Sequence, residues 1–211
     1  LDARATSTRG IVYIAGESSE TRVPYAALRG RALGILRYLQ DAGARPGTET
    51  VILVDGLAPF VDTFWACVLG GVVAVPLAPG NADEHKAKFF RVLERLRAPV
   101  LATERRIYDR LRTFAADAGY GMALDRMSKR IVFLDEIADV AKPGVPHPVA
   151  PPDVAMIQFS SGSTSEPKGV MLTHANLTAN IAAIVAGAEV RPEDSSLSWM
   201  PLTHDMGLIG F

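Results

Sequence analysis

Short apolar runs alternate with longer stretches in which apolar residues recur every three or four positions. A run of about four apolar residues between polar or turn-forming residues predicts a buried strand, and the longer spacing predicts a helix with one face toward a core. The strands predicted before residue 142 cover 11–14, 51–54, 72–75, 100–102 and 131–134. The predicted helices run from Pro24 to Gly43 and over about 59–69, 83–97 and 104–118.

This order of elements predicts an α/β fold with a mainly parallel sheet covered by helices, because strands that alternate with helices of this length pair in parallel. Residues 142–152 carry five prolines and no periodicity. We interpret them as a connector between a first α/β subdomain, 1–141, and the start of a second, 153–211, whose remainder we expect beyond residue 211.

Composition narrows the classes of partner. The 211 residues are 48% apolar with a formal net charge of −1, so the chain can bury a core but offers no electrostatic reason to bind nucleic acid or an acidic membrane surface. The uncharged residues 63–82 have the length of a membrane span, but Gly70, Gly71 and two prolines interrupt them. We expect a helix and a strand there, and no partner in a membrane.

The chain contains one cysteine, Cys67, so no internal disulfide can form. We expect Cys67 to be a buried apolar residue, and a reducing cytoplasm fits. No secretory signal opens the chain, and both of its ends look cut.

The most informative stretch follows the connector. A predicted strand, 154–159, runs into a loop of hydroxyl residues and glycine, and a second strand, 170–172, precedes a helix over about 174–188. Hydroxyls, backbone N–H groups and a lysine are donors for phosphate oxygens, and glycine lets the backbone approach them closely. The candidate phosphate-binding residues are Ser160, Ser161, Gly162, Ser163, Thr164, Lys168 and Gly169.

Two other interpretations of this loop are weaker. A Walker A loop needs Ser or Thr directly after its lysine, whereas Gly169 follows Lys168 here, which argues against a Walker-type ATPase. A solvent-exposed, Ser-rich linker seldom lies between two apolar strands. We therefore interpret residues 160–169 as a phosphate-binding loop.

In this loop the chain resembles the adenylate-forming superfamily, which includes acyl-CoA synthetases, fatty acyl-AMP ligases, luciferases and the adenylation domains of nonribosomal peptide synthetases. Residues 160–164 and 167–169 match the family pattern, and Ser165 departs from its usual glycine. The resemblance implies that the loop grips the β- and γ-phosphates of MgATP, with Thr164 toward Mg²⁺. Residues 23–28 and 69–77 look like two further family motifs, to which we assign packing and no chemistry.

A last match covers residues 198–207. By resemblance, His204 lies over the acyl-binding pocket as a catalytic and substrate-binding residue, Asp205 is near the substrate, and Gly207 starts a helix that lines the pocket. Asp205 has a plainer interpretation as the cap of that helix. His174 is interpreted as a structural residue at a helix start, and His85 and His147 receive no role.

The string 204–208 is similar to fatty acyl-AMP ligases and the acid-loading domains of polyketide assembly lines, whereas amino-acid activators tend to carry Phe-Asp there. The resemblance implies the first part of the large N-terminal domain of an enzyme that converts a carboxylic acid and MgATP to acyl-AMP. The acyl group then passes to the thiol of CoA or of a carrier protein's phosphopantetheine arm. A fatty or hydroxy acid is favoured over an amino acid.

The same resemblance places the adenine-binding residues and the catalytic lysine beyond residue 211. We therefore expect residues 1–211 alone to be inactive. The alternative from a different functional class is a protein fragment without catalytic activity that acts as a scaffold or binds a partner.

Overall fold

Residues 1, 4–160 and 166–210 are described by the computed structural model. The strands are β1 (Gly10–Ala15), β2 (Ser19–Pro24), β3 (Glu49–Leu53), β4 (Val73–Pro76), β5 (Val100–Thr103), β6 (Ile131–Phe133), β7 (Val154–Ser160) and β8 (Lys168–Thr173). The helices are α1 (Tyr25–Asp41), α2 (Leu57–Gly70), α3 (Asp83–Leu93), α4 (Arg105–Ala118), α5 (Gly121–Met127), α6 (His174–Gly187) and α7 (Asp205–Leu208).

Six strands form one sheet in the order β6-β5-β3-β4-β7-β8. The first five pair in parallel, and β8 returns antiparallel to β7. The predicted α/β fold with a mainly parallel sheet is confirmed. Strand β7 lies beside β4, so residues on both sides of the Pro-rich connector contribute to one sheet. The division into subdomains at residues 142–152 stays a prediction.

Alternate residues of the central strands point into two separate cores, as the two-residue period of a strand requires. Val51 packs with α3, α4 and α5 on one face, whereas its neighbour Ile52 packs with α1 and α2 on the other. Because helices cover both faces, these strands are mostly apolar instead of alternating with polar residues, although β3 buries Thr50 and β5 buries Thr103. Cys67 is buried in the second core as predicted, and burial raises the pKa of its thiol to about 12.

Three features differ from the sequence expectations. Strand β2 forms a separate antiparallel hairpin with β1, and among its residues only Val23 is buried, so no apolar pattern marks it. The seven-residue helix α5 is too short to show a helical period. Helix α3 ends at Leu93 instead of residue 97, because the next residues tighten into i to i+3 hydrogen bonds ahead of Pro99.

One ion pair joins the two helices on the second face of the sheet. Arg31 of α1 donates from Nη2 to Asp62 Oδ1 of α2 over 3.0 Å, and its Nε lies 2.9 Å from Asp62 Oδ2. Burial raises the pKa of Asp62, while the hydrogen bond from Arg31 opposes that shift. The pair therefore aligns α1 and α2 around a carboxylate that is mostly removed from water.

The stretch 63–82 comprises the end of α2, strand β4 and a loop, as expected. Among the described residues, no helix combines the length and apolar character needed to cross a bilayer. His174 begins α6, whose N-terminus carries a capping box formed by Thr173 and Asn176. The apolar side chains of α6 are not buried within the described residues, and Ile181 is 57% exposed.

The connector lies against helix α1. The amide of Gly144 donates to the carbonyl of Leu33 over 2.7 Å, and the side chain of Gln40 exchanges two hydrogen bonds with the backbone of Val145. The residues just before the connector also lie close to α1, since a Cβ at Gly34 would lie 2.4 Å from Cβ of Val140 and 2.5 Å from its carbonyl oxygen.

This contact predicts opposite effects for two glycines of the same helix. Gly34→Ala should lower the free energy of unfolding by ~1–3 kcal/mol, because Val140 and the chain that leads into the connector must move. Gly30→Ala is the matched control, since nothing lies within 4 Å of a Cβ there. It should raise the free energy of unfolding by ~0.5–1 kcal/mol. Chemical denaturation of both variants checks this, and equal effects at the two positions would contradict the docked connector.

Candidate functional site

The two ends of the predicted phosphate loop are held by a β-hairpin. Ser160 at the end of β7 is the register partner of Lys168 at the start of β8, and both side chains are exposed. Ser161, Gly162, Ser163 and Thr164 lie outside the described residues, so their predicted contacts with phosphate and Mg²⁺ stay predictions. The antiparallel pairing fixes the points at which the loop leaves and re-enters the sheet.

Gly169 has a packing reason in addition to its predicted role. It pairs with Phe159, and a Cβ at this position would lie 2.8 Å from Cγ2 of Ile157 and 3.0 Å from the Phe159 ring. Any larger residue would push the base of the loop away from β7. The hairpin geometry beneath the loop therefore requires glycine, whether or not its N–H binds phosphate.

His204 is the N-cap residue of α7, and it lies beside Asp205. Nδ1 of His204 lies 2.6 Å from Oδ1 of Asp205, which also accepts a hydrogen bond from the amide of Met206 over 2.8 Å. The amide of Met206 also lies 3.3 Å from Nδ1 of His204, which accepts from it as the N-cap side chain. Nδ1 is thus turned toward the start of α7, and Nε2 is the nitrogen left for a substrate. Both side chains are about two-thirds exposed.

Gly207 is buried against the chain that leads into α7. A Cβ there would lie 2.3 Å from the carbonyl oxygen of Pro201 and 3.0 Å from that of Met200. This close approach explains the spacing of Pro201, His204 and Gly207, because the first turn of α7 folds back onto the proline. The predicted contact of Gly207 with substrate stays a prediction.

Gln158 is a residue that the sequence analysis missed. Its Nε2 donates to the carbonyl oxygen of Thr203 over 3.1 Å and so ties β7 to the segment that carries His204. Its Oε1 is buried and has no hydrogen-bond partner among the described residues. The sequence signal for Gln158 is a polar residue in an otherwise apolar strand, since a buried side-chain amide usually has a hydrogen-bond partner.

These elements enclose a cleft of about 750 Å³, which we call the α3–β7 cleft. Its walls are the polar side of α3, the end of β7 and the segment before α7. The lining includes His85, Lys88 and Arg91 on one side and Ser160, Pro201 and His204 on the other. The sequence analysis assigns His85 no role and does not identify Lys88 or Arg91, because a polar helix face is usually solvated.

A second cleft, of about 730 Å³, lies at the opposite ends of the strands, near Thr48, Val73 and Val154. Ligands of open α/β sheets bind outside the carboxyl ends of the parallel strands. The α3–β7 cleft lies at that end, beyond β4 and β7, and contains both the start of the phosphate loop and His204. It is therefore the candidate active site.

The sequence profile described as AMP-binding enzyme matches residues 1–211. A Caulobacter vibrioides protein named as an acyl-CoA synthetase is 35% identical over 218 residues, covering 100% of this chain and 36% of the relative. A medium-chain-fatty-acid–[acyl-carrier-protein] ligase of Moorena producens is 29% identical over 202 residues. The match covers 92% of this chain and 33% of that ligase. The chain thus spans about a third of the length of these relatives.

Solved structures share the fold. An adenylation domain of a keto acid-selecting NRPS module, bound to keto acyl adenylate, superposes with a TM-score of 0.88 at 27% sequence identity. The match covers 100% of this chain and 37% of that chain. The expected resemblance to adenylate-forming enzymes is confirmed.

The bond between Gln158 and Thr203 predicts a local effect. Gln158→Met keeps the side-chain volume but removes the donor, so amide hydrogen exchange in residues 201–208 should accelerate about fivefold, as expected for a bond worth ~1 kcal/mol. Gln40→Met is the matched control, because Gln40 holds the connector in the same way. It should accelerate exchange near residue 145 and leave 201–208 unchanged. Unchanged exchange at 201–208 in Gln158→Met would contradict this role.

Proposed function

The chain belongs to the AMP-binding enzyme family, and from that premise we propose that the full-length protein activates a carboxylic acid with MgATP to form acyl-AMP and pyrophosphate. The acyl group then passes to a thiol, that of CoA or of a carrier protein's phosphopantetheine arm. The single cysteine fits a cytoplasmic location for this reaction. We expect residues 1–211 alone not to catalyse it.

One observation carries the proposal. Ser160 at the start of the phosphate loop and His204 at the start of α7 line the same cleft, at the carboxyl end of the parallel sheet. A cleft of about 750 Å³ falls within the range of small-molecule sites. The carboxylic acid and the phosphates of ATP must meet at such a place for the reaction to occur.

The chemical difficulty is that both reactants are anions. A carboxylate oxygen must approach the α-phosphorus of ATP, form a bond to it, and displace pyrophosphate with the electron pair of the broken phosphorus–oxygen bond. Mg²⁺ arrives with ATP, and we propose Thr164 as its ligand, where it offsets phosphate charge. Lys168 and the loop donors hold the phosphates, and Nε2 of His204 faces the acid. Holding both anions in place supplies much of the rate enhancement.

A fatty or hydroxy acid is favoured as the substrate. An α-ammonium group in a buried pocket needs an anionic partner, and Asp205 is the carboxylate at the predicted position. Its Oδ1 already contacts Nδ1 of His204 and the amide of Met206. His204 is the N-cap residue of α7, so Asp205 is a first-turn residue and not the predicted cap. Its local contacts favour an acid without an ammonium group and leave an amino-acid-activating domain as the alternative.

The phosphate loop yields the first functional prediction. In the full-length protein, Lys168→Ala or Ser161→Ala should slow acid-dependent ATP–pyrophosphate exchange by ~10²–10³-fold, because each removes a donor to developing negative charge. Lys142→Ala, in the exposed connector, is the matched control and should not change the rate. The melting temperature should change little in all three variants. Exchange at the wild-type rate in both loop variants would remove the loop from the mechanism.

The choice of acid is tested by a matched panel. We expect exchange with unsubstituted or α-hydroxy acids to exceed exchange with the α-amino acid of the same side chain, because Asp205 is engaged locally. Asp205→Asn should then change the preference little. Exchange with the amino acid alone, abolished by Asp205→Asn, would establish an amino-acid activator. A full-length protein that binds ATP but supports no exchange with any acid would favour the scaffold alternative.

A further inference from the structure

Helix α3 presents a row of basic side chains to the candidate active site. Lys88, Arg91 and Arg95 are spaced by three and four residues, which places them on one side of the helix and of the turn that follows it. We call these three residues the cationic stripe. The opposite side of α3 is buried in the first core through Phe89, Phe90, Val92 and Leu93. The stripe is thus oriented by the packing of α3.

The stripe faces the phosphate loop. Lys88 and Arg91 line the α3–β7 cleft together with Ser160, where the loop begins. Arg95 forms a salt bridge with Glu166, which lies in the loop itself. The far end of the stripe therefore contacts the loop directly, and its two other members lie across the cleft from the loop's first residue.

Arg91 carries an unsatisfied donor at this wall. Its Nε is buried and has no hydrogen-bond partner among the described residues. A buried donor without an acceptor is costly, and the cost disappears when an anion binds beside it. Three of the described lining residues are carboxylates: Glu166 and Asp205 already contact Arg95 and His204, and Glu84 lies on α3 itself. A polyanion in the cleft would meet Lys88 and Arg91 on the α3 side, beside Glu84.

We propose that Lys88 and Arg91 bind the β- and γ-phosphoryl groups opposite the phosphate loop, first as part of ATP and then as the leaving pyrophosphate. This inference rests on the proposed function. When the carboxylate oxygen bonds to the α-phosphorus, the bond from the α-phosphorus to the bridging oxygen breaks, and pyrophosphate leaves with that electron pair. The cationic stripe stabilises the charge that accumulates on this leaving group from the α3 side of the cleft.

The test uses Lys88→Gln, Arg91→Gln and the double variant in the full-length protein, with ATP–pyrophosphate exchange as the assay. Each single variant should raise the KM for pyrophosphate about 10-fold, since each removes a charge-assisted hydrogen bond. The KM for the acid should stay within about twofold. Lys88→Arg, which keeps the charge, should restore most of the affinity. Arg112→Gln is the matched control, because this arginine on α4 is 69% exposed, pairs with Asp109 and does not line the cleft.

Increases in the KM values for both ATP and pyrophosphate support the inference, because the stripe then binds the triphosphate before reaction as well as the leaving group. An increase for pyrophosphate with an unchanged KM for ATP would contradict binding of ATP and would confine the stripe to the leaving group.

Two results would overturn the inference while the proposed function stands. The first is an unchanged KM for pyrophosphate in the double variant when the wild type is active. The second is an increase confined to the KM for the acid or for the thiol acceptor. If the wild-type protein supports no exchange with any acid, the proposed function itself fails.

Discussion

Strand β7 lies between the parallel strand β4 and the antiparallel strand β8, and the candidate site depends on both pairings. The pairing with β4 carries the end of β7 to the edge of the sheet beside α3. The pairing with β8 holds the loop that begins at Ser160 and returns at Lys168. Met156, fully buried in the middle of β7, anchors the strand in the core. Displacing β7 would therefore separate the phosphate loop from every other wall of the cleft.

The second part of the site is assembled by backbone contacts. Gly207 allows α7 to fold onto Pro201, and Gln158 holds the neighbouring carbonyl of Thr203 to β7. Together they set where His204 stands relative to the loop. Packing of α3 against the first core in turn fixes the opposite wall. An enzyme that brings two anions together needs such fixed positions, because donors that must rearrange during reaction stabilise charge less effectively.

The sequence was sufficient for the central strands and most helices because each carries a clear apolar period. It could not give the strand order, which depends on how separate runs such as 51–54 and 154–159 pair across the chain. Strand β2 was not predicted because only Val23 of its residues is buried, and helix α5 because seven residues are too short to show a helical period. The candidate loop and His204 came from a family resemblance, and the structure adds that Ser160 and His204 line one cleft. Gln158 and the cationic stripe carry local signals, a polar residue in an apolar strand and a basic helix face, but what they contact is visible only in the tertiary structure.

The central claim is that a carboxylate oxygen becomes bonded to the α-phosphorus of ATP. An acid labelled with ¹⁸O in its carboxylate tests this directly in the full-length protein with ATP and a thiol acceptor. When the thiol attacks the acyl carbon, the oxygen that joined the acid to the phosphorus leaves with AMP. The account predicts AMP that carries one ¹⁸O and pyrophosphate that carries none. Label in inorganic phosphate, with ADP as the nucleotide product, would indicate an acyl phosphate and contradict the account.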